Sequence, residues 1–262
     1  AYNILCERNE AMRKLQESQN ALKRELDEAE NYVISLLPAK IDSADLHTDW
    51  VFKSSTELGG DCFGYDWIDS DKFAIYLLDV CGHGVGAALL SVSAMNVLRS
   101  RTLSGIDFAQ PDQVLNALNA AFDMDKQNGM YFTLWYGVYD RKTRTLSYAS
   151  GGHPPAMLVA PDGSSTPLTT HGFIVGGMAE SVYKKDSVKV APNSKLCVSS
   201  DGVYEARKGD GKIMSLDEFA ARLPAPAESG ASKVESMMRF SKRAQNSESF
   251  EDDFSLCEVV FK

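Results

Sequence analysis

Asp61, Asp79, Asp201 and Asp252 share a local context. Asp61 follows Gly59 and Gly60. Asp79 closes an apolar run at 72–80 and precedes Val80, Cys81 and Gly82. Asp201 follows the run 195–200 and precedes Gly202. Asp252 stands at the start of a last apolar stretch, beside Asp253. Carboxylates at strand ends, next to glycine turns, can be gathered on one rim of a sheet where backbone comes close to a ligand. A carboxylate set without His or Cys suits hard cations such as Mg²⁺ or Mn²⁺. With no cation present, such groups repel and raise one another's pKa. Two cations sharing a carboxylate would make a water between them more acidic and place it for in-line attack on a phosphoryl group. Taken singly, an Asp–Gly pair is a common turn, and convergence of the four is not visible in the sequence.

Other candidates carry less. Gly82, Gly84 and Gly86 open a helix whose N-terminus could attract an anion. No G-x-x-x-x-G-K-[ST] is present, so a nucleotide P-loop is not supported. Close backbone approach beside Asp79 accounts better for these glycines. His83 could serve as a general acid on its ordinary pKa of ~6.5. His47 and His171 belong to no pattern. The five cysteines, Cys6, Cys62, Cys81, Cys197 and Cys257, are odd in number, widely spaced and without C-x-x-C. Reduced, buried thiols fit them better than a disulfide framework or a zinc site. Trp50, Trp67, Phe132, Trp135 and Tyr136 fall in strand patterns and are expected in the core.

The elements that must position the aspartates read as α+β. Short strands are expected at 47–54 and 61–68 around a turn at 57–60, and a buried strand at 72–80. Helices follow at 87–100 and 111–124, the second with Pro111 in its first turn. A hairpin is expected at 131–139 and 144–150, and strands near 156–160, 187–191 and 195–200. Helices near 216–222 and 230–244 flank a loop at 224–231, and a final strand runs 254–261. Before all this, residues 3–37 lack glycine and proline and are rich in helix formers. One heptad seam reads Leu5, Met12, Gln19, Leu26, Val33, and the other Arg8, Leu15, Leu22, Ala29, Leu36. Gln19 and Arg8 are its polar exceptions. A coiled-coil dimer through residues 4–37 is expected, with a single helix lying on the next domain as the alternative. Pro38 ends the helix. The expected division is a helical linker at 1–38 and a second domain at 46–262.

The 262 residues carry a formal net charge of -9, with 44% hydrophobic and 24% charged residues. That is the composition of an ordinary globular protein. It argues against a nucleic-acid partner, and so against a two-metal nuclease or phosphodiesterase acting on one. No apolar run approaches the ~18 residues of a bilayer span, and no signal peptide is visible. No membrane association and a cytoplasmic location are expected. The chain starts at Ala1 and is read as a fragment of a longer protein.

Five segments in order, LGGDCFGYDWI, IYLLDVCGHGVGAALLSV, YASGGHPPAMLV, VSSDGVYEARKGDG and EDDFSLCEVVF, resemble the bacterial regulatory branch of the protein phosphatase 2C (PPM-type) family, over 46–262. That branch includes stress-response and sporulation phosphatases. The resemblance implies a sandwich of two antiparallel sheets flanked by helices. It implies a serine/threonine phosphatase with two divalent cations, Mn²⁺ or Mg²⁺, and hydrolysis by metal-activated water. Carried over by motif, Asp79 resembles the bridging ligand, Asp61 and the Val80 carbonyl resemble ligands of one metal, and Asp201 and Asp252 resemble ligands of the other. Asp253, Gly82 and Gly202 are expected behind the ligands. Relatives carry other residues at His83, which is therefore not assigned to catalysis, and His153 is expected as a buried structural turn residue. CFGYD stands where many relatives have FYD, and Ser255 where threonine is commoner; neither touches a ligand position. The substrate implied is a phosphorylated anti-sigma factor antagonist. The implied role is output domain of a signalling protein with an upstream sensor, such as a receiver domain. Because the helical linker stands directly before the domain, the helices at 85–124 are expected to be the switch element. A catalytically weak binding module of the same fold is the alternative.

Overall fold

The computed structural model describes residues 2–55, 58–205, 207–209 and 211–262, with side chains from residue 7 onward. The side chains of Leu5 and Cys6, Glu57 of the expected turn, and Ala206 and Asp210 of the fourth segment lie outside that description. Helix α1 (Tyr2–Leu36) stands first. Its middle seam residues Met12, Leu15 and Leu22 are exposed. Its last turn docks, through Ile34 and Leu36 against the core. Beyond Pro38 the chain is pinned by two donors, the Trp50 indole to the Pro38 carbonyl at 3.0 Å and the Tyr65 hydroxyl to the Ala39 carbonyl at 3.0 Å.

The strands are β1 (Leu46–Lys53), β2 (Asp61–Trp67), β3 (Lys72–Val80), β4 (Phe132–Asp140), β5 (Thr145–Gly151), β6 (Ala156–Val159), β7 (Ser165–Leu168), β8 (Asp186–Lys189), β9 (Ser194–Ser199) and β10 (Phe254–Phe261). They form two antiparallel five-stranded sheets, ordered β1-β10-β9-β6-β7 and β2-β3-β4-β5-β8. Helices α2 (Val85–Ser100) and α3 (Pro111–Ala121) pack on the second sheet, while α4 (Leu216–Ala220) and α5 (Lys233–Gln245) flank the first. The expected two-sheet sandwich with flanking helices is the fold found.

Alternation along β2 and β3 explains the layering. Phe63, Tyr65, Phe73, Ile75 and Leu77 fall on one face, and Cys62, Gly64, Tyr76 and Leu78 on the other. Both faces are covered, so the strands read as continuous apolar runs rather than as a simple alternation. Strand β7 was not expected. Its STPL sequence is mostly exposed, so it lacks an apolar signal. The helix expected to 124 stops at Ala121, and a 3-10 turn follows at Met124–Lys126.

Candidate active site

The aspartates meet because antiparallel pairing puts the right strand ends together. Asp61 begins β2 and Asp79 lies next to the end of β3, and the two are cross-strand partners. Directly opposed residues point to the same face, here the one that also carries Phe63 and Leu77. In the other sheet Ser199 at the end of β9 pairs with Leu256 near the start of β10. Asp201 follows β9 in a 3-10 turn, Asp201–Val203. Asp252 precedes β10 by two residues rather than starting it.

The close approach of these segments is enforced by glycine. A Cβ on Gly202 would collide with the Asp253 carbonyl oxygen and lie 3.1 Å from the Asp252 side chain, and one on Gly59 would collide with the Asp253 carboxylate. A Cβ on Gly60 would lie 2.6 Å from the Val80 carbonyl oxygen and 3.1 Å from that of Gly82. Asp253 is spent on backbone. Its carboxylate accepts from the Ser55 N–H at 2.9 Å, the Ser55 hydroxyl at 3.1 Å and the Asp61 N–H at 3.4 Å. The Ser200 hydroxyl donates to the Asp253 carbonyl at 3.1 Å and accepts from the Ser255 N–H at 3.2 Å, joining the end of β9 to the start of β10. Ser55 and Ser200 were not singled out by the sequence, although Ser200 stands inside the SSDG run.

The electrostatics show how tightly the acids are gathered. Burial, then the charges of Asp79 and Asp253, hold the Asp61 carboxyl well above its ordinary range. Burial, then Asp201, Asp252 and Asp253, push Asp79 up to about 7. Asp201 is raised by burial and then by Glu205, and Asp252 by burial against an opposing hydrogen bond from the Asp253 N–H. Both carboxyl oxygens of Asp61 are buried with no hydrogen-bond partner among the described residues. Such orphaned oxygens are rare in a folded protein and mark a group built for something else. As placed, no three His, Cys, Asp or Glu side chains among the described residues form a ready set for one ion. Ionised carboxylates repel one another, and a bound cation would relieve that repulsion. The donor set is all oxygen, which fits Mg²⁺ or Mn²⁺.

His83 is exposed. His153 lies in the interior, 4% exposed, with ring Nδ1 2.9 Å from the Pro154 carbonyl oxygen.

Residues 69–262 match the family model Stage II sporulation protein E (SpoIIE). The chain belongs to the SpoIIE family. Among curated relatives it is 27% identical over 184 residues to the phosphoserine phosphatase RsbP of Bacillus subtilis, covering 70% of this chain and 46% of that one. It is 26% identical over 218 residues to the phosphoserine phosphatase RsbU of the same organism, covering 82% and 63%. The SiaA-PP2C domain of Pseudomonas aeruginosa has the same fold, with a TM-score of 0.81 at 21% identity, covering 94% of this chain and 99% of that one. The chain spans between about half and two thirds of RsbP and RsbU. The SpoIIE family and the regulatory PP2C branch expected from the five segments are thus one assignment.

Proposed function

We propose that the chain is a metal-dependent phosphatase acting on phosphoserine or phosphothreonine of a regulatory protein. The observation that carries this reading is that Asp61 and Asp79 of one sheet and Asp201 and Asp252 of the other are turned toward one place, where burial first, and then the charges of Asp201 and Asp252, push Asp79 up to about 7. RsbP and RsbU, both phosphoserine phosphatases by name, support the substrate class.

Asp79, central to the cluster, would be shared between two cations. Asp61 and the Val80 carbonyl would hold one, and Asp201 and Asp252 the other. Bound cations would supply charge for the developing transition state and an acidic water. The chain's own part is positional. Asp253 fixes the Asp61 backbone, Gly60 lets the Val80 carbonyl approach, and Ser200 ties the two segments that carry Asp201 and Asp252.

The substrate proposed is a phosphorylated anti-sigma factor antagonist. The proposed setting is the cytoplasm, downstream of a sensor or receiver domain. Helix α1 is proposed to pair with a second copy through the exposed Met12, Leu15 and Leu22. No helix among the described residues is long and apolar enough to cross a membrane.

Calorimetric titration with Mn²⁺ and with Mg²⁺ tests the site. Wild type is expected to bind, and Asp79→Asn and Asp201→Asn to bind more weakly. Equal affinity in wild type and both variants would remove these residues from the metal site.

A further inference from the structure

A cavity of about 420 Å³ lies under the C-terminal half of α2 and against the end of α1. Its floor is the helix-facing side of the second sheet, where Gly64, Tyr76 and Tyr136 are cross-strand neighbours on β2, β3 and β4. Gly64 is where a side chain would otherwise stand, since a Cβ there would collide with the Tyr76 hydroxyl. The Tyr76 and Tyr136 rings stack, with centroids 6.0 Å apart. Met95 and Leu98 of α2, 1% and 3% exposed, give apolar walls.

Two features point to a ligand. Tyr136 satisfies its hydroxyl by donating to the Phe108 carbonyl at 2.9 Å. Tyr76 is a buried residue that lines the cavity, and among the described residues nothing ties up its hydroxyl, which is left open to the cavity. At the mouth, Arg101 is committed to Asp66 at 2.6 Å and to the Ile68 and Trp67 carbonyls. Among the described residues, Arg99 makes one hydrogen bond, to the Leu36 carbonyl at 3.3 Å, and its other N–H donors face no protein acceptor. Arg101 and Asp66 cancel, so the mouth keeps one positive charge.

We propose that this cavity binds a small amphipathic anion. The apolar body would lie between Met95, Leu98 and the tyrosine pair, a polar atom would meet the Tyr76 hydroxyl, and the anionic group would take the spare donors of Arg99. The volume falls in the usual range of ligand pockets, roughly 300–1,000 Å³. The aspartates lie elsewhere, at the β2 start and β3 end, so this is a separate site. An occupant would touch α1, α2 and the sheet at once.

The probe is 8-anilinonaphthalene-1-sulfonate, an aromatic anion whose fluorescence rises in apolar surroundings, titrated into the whole chain. The expected result is a saturable one-to-one rise with wild type. Binding should be at least tenfold weaker in Arg99→Gln, and weaker in Tyr76→Phe, which keeps the ring and removes only the hydroxyl. Arg99 is exposed, so its variant retains the fold, which circular dichroism checks. Absence of saturable binding to wild type, or equal affinity in wild type and natively folded Arg99→Gln, would overturn the proposal.

Discussion

His153 shows at one residue how burial sets a pH response. Its Nδ1 faces the Pro154 carbonyl, while its buried Nε2 has no partner among the described residues. A second proton would therefore sit on a nitrogen with no acceptor, and burial holds the ring's pKa down at about 4. The folded value lies below the unfolded one, so stability from the neutral ring is present above about pH 6.5 and is lost as pH falls toward 4. Two to three units correspond to roughly 3 kcal/mol. Denaturant melts between pH 7 and pH 4 should lose that much less in His153→Gln than in wild type; parallel losses would contradict it. Gly202 makes a steric prediction. A methyl group there meets the Asp253 backbone, which cannot swing away as a side chain can. Gly202→Ala should destabilise the fold by about 1–3 kcal/mol, and weaken Mn²⁺ binding because Asp201 and Asp252 are pushed apart. An unchanged melting curve would show that the segment yields without cost.

At the scale of elements, the strands and helices with strong apolar patterns could be read from sequence, and the irregular segments could not. Strand β3, helix α2 and strand β10 come from long runs such as KFAIYLLDV and FSLCEVVF. The segment between β7 and β8 carries no periodicity, because its order comes from side chains far away in the chain. Asn119 of α3 accepts from the Gly176 N–H at 2.8 Å and the Tyr183 hydroxyl at 3.2 Å, and donates to the Met178 carbonyl at 3.0 Å. Asn119→Ala would strand a buried N–H and a carbonyl, and should cost about 2 kcal/mol or more; a smaller loss would show that water replaces the side chain. Helix α1 is the opposite case, legible as a helix but not in its partner. Its exposed seam predicts that Leu15→Ser with Leu22→Ser converts a dimer to a monomer in sedimentation velocity, with the melting of the sandwich unchanged. A wild-type monomer would contradict the pairing.

For the whole molecule, the site is a property of topology. Asp61 and Asp79 lie at one end of the second sheet because β2 and β3 run antiparallel, and Asp201 and Asp252 lie at the matching end of β9 and β10 for the same reason. The four residues could be picked from sequence by their glycine-flanked positions, but their convergence required the stacking of two sheets that share no adjacent strands. Asp253 as a brace behind them was expected from motif; its bonds to Ser55 and to the Asp61 N–H give the physical reason. The most direct test of the central claim is hydrolysis of a phosphoserine peptide with Mn²⁺, with Mg²⁺ and with chelator, for wild type beside Asp79→Ala and Asp201→Ala. Wild type is expected to show metal-dependent turnover, abolished by chelator, and reduced in each variant by more than the ~10–100-fold typical of losing an outer partner of a metal ligand. Turnover that survives chelation, or that either variant retains, would contradict it.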